Sequence, residues 1–133
     1  MSTRCQILVR AKGLSWEDDE IMLYHHCDGY PEHMLECIKE GYQLSGKSWE
    51  AGRTGKVASF LCAAHPGSTE PESGQEFHGD IEYFYELTTI NRGGGSINES
   101  PTWEVKVYST TTGFWDNPNK KHMKLIKKHQ IGG

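Results

Sequence analysis

The chain has 133 residues, a 15.0 kDa mass, a hydrophobic fraction of 35% and 15 glycines, which bound it to one small, loop-rich domain around one core. Its net charge of -4 is unevenly spread: residues 120–133 hold five lysines and no acid, leaving nine basic against eighteen acidic side chains in the first 119 residues. An acidic body argues against a DNA-binding domain, and no apolar run approaches a membrane span or a signal peptide, so a cytoplasmic protein with no DNA and no membrane partner is expected.

Residues 5–10 are apolar and rich in branched side chains, which predicts a strand. A polar connection over 13–20 leads to a second strand over 21–27, and its shortness makes the two antiparallel neighbours. Asp28-Gly29 signals a turn, and Pro31 followed by Glu32 suits the first turn of a helix running to about residue 44. Met34, Leu35, Ile38 and Tyr42 form its apolar stripe. Ser48 can cap a second helix with Val57, Phe60, Leu61 and Ala64 on its stripe, stopped by His65-Pro66-Gly67. A polar loop over 67–80 follows. Residues 81–88 and 102–111 alternate with a period of two around Arg92-Gly93-Gly94-Gly95-Ser96, which reads as a hairpin.

The order ββααββ predicts an α+β fold: an antiparallel four- to five-stranded sheet with two helices on one face. A single domain over 1–119 and a basic C-terminal tail over 120–133, able to add a short helix or strand, complete the organisation. The face opposite the helices carries Glu82, Glu86, Glu104 and Lys106 beside Phe84 and Tyr108. It reads as too polar for a second core and as a ligand or subunit surface, from which a homo-oligomer is expected.

Cys5, Cys27, Cys37 and Cys62 contain no C-x-x-C pair, which argues against a zinc ribbon, and without a secretion signal no disulfide framework is expected. Two His-x-Asp pairs, His26 with Asp28 and His78 with Asp80, stand at strand ends. Residues two apart on a strand share a face, so these four side chains are an alternative ligand set for zinc, manganese or iron in a metal-dependent hydrolase. The bland reading makes Asp28 an acceptor for backbone N–H groups at the start of the first helix. A two-histidine phosphoesterase is disfavoured, because carboxylates stand where hydroxyl donors would be needed. There is no G-x-S-x-G, no P-loop and no G-x-G-x-x-G. The absence of a catalytic set and of any cofactor motif favours a non-catalytic binding protein, and the remaining class is a protein-interaction or partner-blocking protein.

Guanidinium forks suit phosphate and carboxylate, and aromatic rings suit bases, here the rings of Tyr24, Tyr30, Phe84, Tyr108, Phe114 and Trp115. The expected ligand is therefore small, anionic and nucleotide-type. Its expected site is Arg4, Arg10, Tyr24, His26, Asp28, Tyr30, His78 and Asp80, gathered by pairing of the first two strands.

The Thr3-Arg4-Cys5 start, the His26-Cys27-Asp28-Gly29-Tyr30-Pro31 turn and the Asp80-Ile81-Glu82-Tyr83-Phe84-Tyr85 run resemble a group of small bacterial and phage proteins of unknown function. The resemblance covers three segments within roughly the first ninety residues and brings no established activity, so it assigns no roles. For a phage-encoded chain it implies a domain that could sequester a nucleotide signal of the host.

Overall fold

A computed structural model of the chain describes residues 3–12, 20–26, 28–46, 49–91 and 101–132. Alternating apolar residues form β1 (Cys5–Lys12) and β2 (Ile21–His25), paired antiparallel as expected. Helix α1 (Pro31–Leu44) begins at its proline. A 3-10 turn (Trp49–Gly52) precedes α2 (Thr54–Ala64). The strands β3 (Thr69–Pro71), β4 (Tyr83–Ile90), β5 (Thr102–Thr110) and β6 (Met123–Ile131) follow. The glycine-rich hairpin loop, Ser48 and Cys27 lie outside the described residues.

The fold is α+β with two helices, but the sheet has six strands in the order β3-β2-β1-β4-β5-β6 and is mixed. β4 runs parallel to β1, from Cys5 opposite Tyr83 to Lys12 opposite Ile90, and every other pairing is antiparallel. This corrects the expected antiparallel sheet of four to five strands. One strand escaped the sequence pattern, and another is the strand that the basic tail was read as able to add. Thr69-Glu70-Pro71 is too short and polar to show alternation. The lysine-rich segment is exposed along most of β6, so its pairing with β5 leaves no hydrophobic period.

One sheet face packs on the helices. Ile7, Val9, Leu23, Tyr85, Leu87, Trp103, Val105 and Val107 meet Met34, Ile38 and Tyr42 of α1 and Val57 and Leu61 of α2. Trp103 donates its indole N–H to Ala51 O at 2.6 Å and meets the Tyr42 ring edge-on, with centroids 5.0 Å apart. The turn into α1 sits on the sheet. Gly29 N donates to Thr3 O at 2.9 Å, and Tyr85 Oη donates to Gly29 O at 2.7 Å. A Cβ on Gly29 would stand 3.0 Å from Thr3 O and 3.1 Å from Cys5 Cβ, tighter than ordinary contact, so a side chain there would press on the start of β1.

The opposite face was read as too polar for a core. Instead Leu8, Met22, Tyr24, Ile81, Phe84 and Phe114 are buried there together, with Phe77, Tyr108 and Met123 against them. The cover comes from the connections on either side of the β4–β5 pair. Phe77 and Ile81 precede β4, and Phe114 follows β5. Phe84 is 1% exposed, so one of the two aromatic rings expected on this surface is covered by the chain itself.

A fully buried Gln6 fastens the first of these connections. Its amide nitrogen donates to Glu76 O at 3.1 Å, and its oxygen accepts from His78 N at 3.0 Å. Glu86 is also buried on this face. It accepts from Lys120 Nζ at 2.5 Å and Tyr108 Oη at 3.0 Å, with Arg10 Nη2 at 3.5 Å. Burial alone would raise its pKa, but the Lys120 and Tyr108 hydrogen bonds, with the Lys120 and Arg10 charges, hold the carboxyl below its ordinary range.

Candidate ligand site

The loop-covered face brings together five of the eight predicted site residues. β1 and β2 pair Gln6 with Tyr24, and just before β1 the chain places Arg4 close by. The connection held by Gln6 brings His78 and Asp80 to the same end of the sheet. Tyr24 stands between two imidazoles, with ring centroids 4.7 Å from His26 and 4.6 Å from His78. Its hydroxyl donates to Asp80 Oδ2 at 3.0 Å, and Arg4 Nη1 donates to the same oxygen at 3.2 Å. Burial, then the hydrogen bond to Asp80, pushes the Tyr24 pKa up to about 12, so the phenol remains a donor at neutral pH.

Three predicted residues lie apart. Arg10 is six residues further along β1, between Glu20 at 3.2 Å and Glu86 at 3.5 Å. At about 3.3 Å per strand residue, that is roughly 20 Å from Arg4. Asp28 adopts a left-handed φ of 54°, and the N-cap of α1 is Tyr30 with no side-chain cap hydrogen bond. The capping role expected for Asp28 is therefore not made; its aspartate serves the backbone turn instead, a conformation Asp tolerates better than most residues. Tyr30 is exposed at that helix start.

The paired His-x-Asp motifs do not converge. His26 Nε2 pairs with Glu70 at 3.1 Å, and His78 Nε2 with Glu72 at 2.7 Å, on either side of the Tyr24 ring. Among the described residues no group of three or more His, Cys, Asp or Glu side chains could hold a metal ion.

Beside Arg4 and Asp80 opens a cleft of about 510 Å³, completed by Glu82, Thr110, Thr112 and Trp115. Trp115 is 71% exposed, unusual for an indole. Gly79 permits the approach of its loop, since a Cβ there would meet Trp115 O at 3.3 Å. Asp80 Oδ1 is buried and has no hydrogen-bond partner among the described residues. A buried carboxylate oxygen with no donor is costly. Gln6 was missed by the sequence reading, and Trp115 was one of six rings offered for stacking but was not placed in the site. A lone Gln in an apolar strand carries a weak signal, whereas Trp115 stands in a polar run between Gly113 and Pro118, where an aromatic is conspicuous.

A second cleft, about 570 Å³, opens at the start of α2 beside Arg53 and Lys56. Both cations there have interactions of their own, and no aromatic ring among the described residues lines it. No helix among the described residues is long and apolar enough to cross a membrane. Comparison with protein-family models, curated proteins and solved structures gave no match.

Proposed function

We propose that the chain is a non-catalytic binding domain for a small anionic ligand of nucleotide type, held in the cleft between Arg4 and Trp115. The observation that carries this reading is the orphaned Asp80 Oδ1 beside a half-exposed guanidinium and an exposed indole. These three groups match the three parts of a nucleotide. The indole offers a stacking plane for a base. The carboxylate accepts from an amino or hydroxyl group. The guanidinium takes a phosphate oxygen. The cleft volume of about 510 Å³ lies within the usual span of roughly 300–1,000 Å³ for small-ligand sites. Asp80 already neutralises Arg4, and Glu82 adds negative charge, so the site suits a ligand of low charge with N–H or O–H donors better than a bare polyphosphate. Arg10 falls outside the proposal, because Glu20 and Glu86 hold it elsewhere.

The test is calorimetry and thermal shift with mono-, di- and cyclic nucleotides on wild type, Arg4→Ala, Asp80→Asn and Trp115→Ala. Arg4→Ala should leave unliganded stability within about half a kcal/mol, since its ion pair is exposed. A nucleotide that stabilises wild type should lose most of that effect in each variant. If no nucleotide shifts the wild type at millimolar concentration, or if the shift survives all three substitutions, the reading fails and a protein-interaction role takes its place.

A further inference from the structure

The sheet ends at β6, which pairs with β5 along one side and with no other strand among the described residues along the other. Backbone N–H and C=O groups point alternately to the two sides of a strand. The outer side of these nine residues therefore presents a row of donors and acceptors about 30 Å long. The register fixes where the side chains stand, because cross-strand partners share a face. Lys124 and Lys127 are opposite Ser109 and Val107, on the helix-covered side, whereas Lys128 is opposite Lys106, on the loop-covered side. Between Val107 and Tyr108 the register slips, which leaves Ile126 as the extra residue of a bulge. Leu125 and Ile126 are 41% and 46% exposed there. Glu86 takes up the charge of Lys120, but among the described residues Lys121, Lys124, Lys127 and Lys128 are all exposed and form no ion pair.

We propose that β6 is a docking edge for an extended acidic segment of another protein, which adds to the sheet as a further strand. The placement of charge selects this partner. Lysines project from both faces, so a polyanion such as a nucleic acid lying on either face would meet only some of them. A strand added at the edge places its own side chains opposite the lysines of both faces at once, where opposite charges attract. Its backbone bonds give the hold, and its carboxylates give the choice of partner. The same lysines repel the β6 strand of a second copy, as lysine commonly does at a sheet edge. The opposite edge of a second copy is no better, since β3 is three residues long and ends in Pro71, which has no amide donor. Repulsion alone would not call for adjacent exposed aliphatics. Leu125 and Ile126 offer apolar contact to branched side chains of the incoming strand. The edge shares no residue with the Arg4 cleft, so either proposal can fail without the other.

The experiment uses the full chain and a peptide of Glu, Val and Thr that matches the nine residues of β6 in length. Two controls accompany it: the same peptide N-methylated along its backbone, which keeps the charge but cannot pair, and an oligothymidylate. Fluorescence anisotropy at low ionic strength reads affinity, and amide hydrogen exchange reads position. The unmodified peptide should bind at least tenfold more tightly than the N-methylated one and should slow exchange at alternate amides of β6, leaving β3 unchanged. The combined Lys124→Glu, Lys127→Glu and Lys128→Glu variant should bind at least tenfold more weakly. Because these side chains are exposed, it should unfold at nearly the wild-type temperature. No binding at millimolar peptide, or equal affinity for the N-methylated peptide, would overturn the proposal. Oligothymidylate bound as tightly as the peptide, and lost in the same variant, would replace it with a nucleic-acid surface. A dimer whose outer β6 amides are protected before peptide is added would give the edge to a second copy.

Discussion

The two faces of the sheet are closed in different ways. On one, α1 and α2 lay continuous apolar stripes over Ile7, Val9, Leu87, Trp103, Val105 and Val107, and the helices satisfy most of their own backbone groups. On the other, irregular segments do the covering. Their backbone must be satisfied from the sheet, by Gln6 and by Glu72 N donating to Met22 O at 2.8 Å. Helices can bury area without polar partners from below, whereas loops cannot. The loop face therefore carries Gln6, Glu86 and Asp80, and with them the polar atoms that a ligand can use.

If that contrast is right, the deepest cuts into the helix face should cost most. Trp103→Ala removes a fully buried ring and its hydrogen bond to Ala51, and should cost about 4 kcal/mol in denaturant unfolding. Phe114→Ala, in the cover of the loop face, should cost less, because a loop can settle into the space. Equal losses for the two would break the comparison.

The next test is electrostatic. Glu86→Gln leaves Lys120 and Arg10 without their shared counter-charge and should cost about 2 kcal/mol at neutral pH. The Glu86 pKa is lower folded than unfolded, so its contribution is complete above the unfolded value of about 4.3 and is lost as pH falls through the folded one. Acid titration of stability should therefore be shallower in Glu86→Gln than in wild type. Identical slopes would mean that Lys120 and Arg10 give Glu86 no net support.

The smallest effect is expected at Asp28, on neither face. Asp28→Ala should cost about 1 kcal/mol, because an alanine at a φ of 54° meets steric strain, while Asp28→Gly should be neutral or slightly stabilising. If the Gly variant were as unstable as the Ala variant, a side-chain hydrogen bond rather than the backbone angle would explain the residue.

The helix face was legible in the sequence because its signals are periodic. Met34, Ile38 and Tyr42 repeat at helical spacing, and Trp103, Val105 and Val107 at strand spacing. The loop face was not, since Phe77, Ile81 and Phe114 sit in segments with no repeat and meet Leu8 and Phe84 only after the chain has folded back. The site followed the same division. Arg4, Tyr24 and His26 were reachable through the pairing of adjacent strands, and His78 and Asp80 through a repeated motif. The partner that completes the cleft, Trp115, was visible as an aromatic in a polar run, but it follows β5 and nothing in the local pattern tied it to Arg4 and Asp80. Arg10 was misplaced because strand neighbours were credited with sharing a site without allowing for the distance along the strand.

The parallel seat of β4 on β1 also sets an order of events during synthesis. β1 pairs with β2 after a short connection, but its other edge waits for residues 78 positions later, as the pairing of Cys5 with Tyr83 shows. Until β4 emerges, Ile7 and Val9 lie on an open strand edge in an apolar segment, the kind of template that recruits other chains. A contact of such sequence separation also forms late and slows folding. Chains truncated before residue 83 should therefore gather into aggregates, whereas chains that include β4 should have that edge covered.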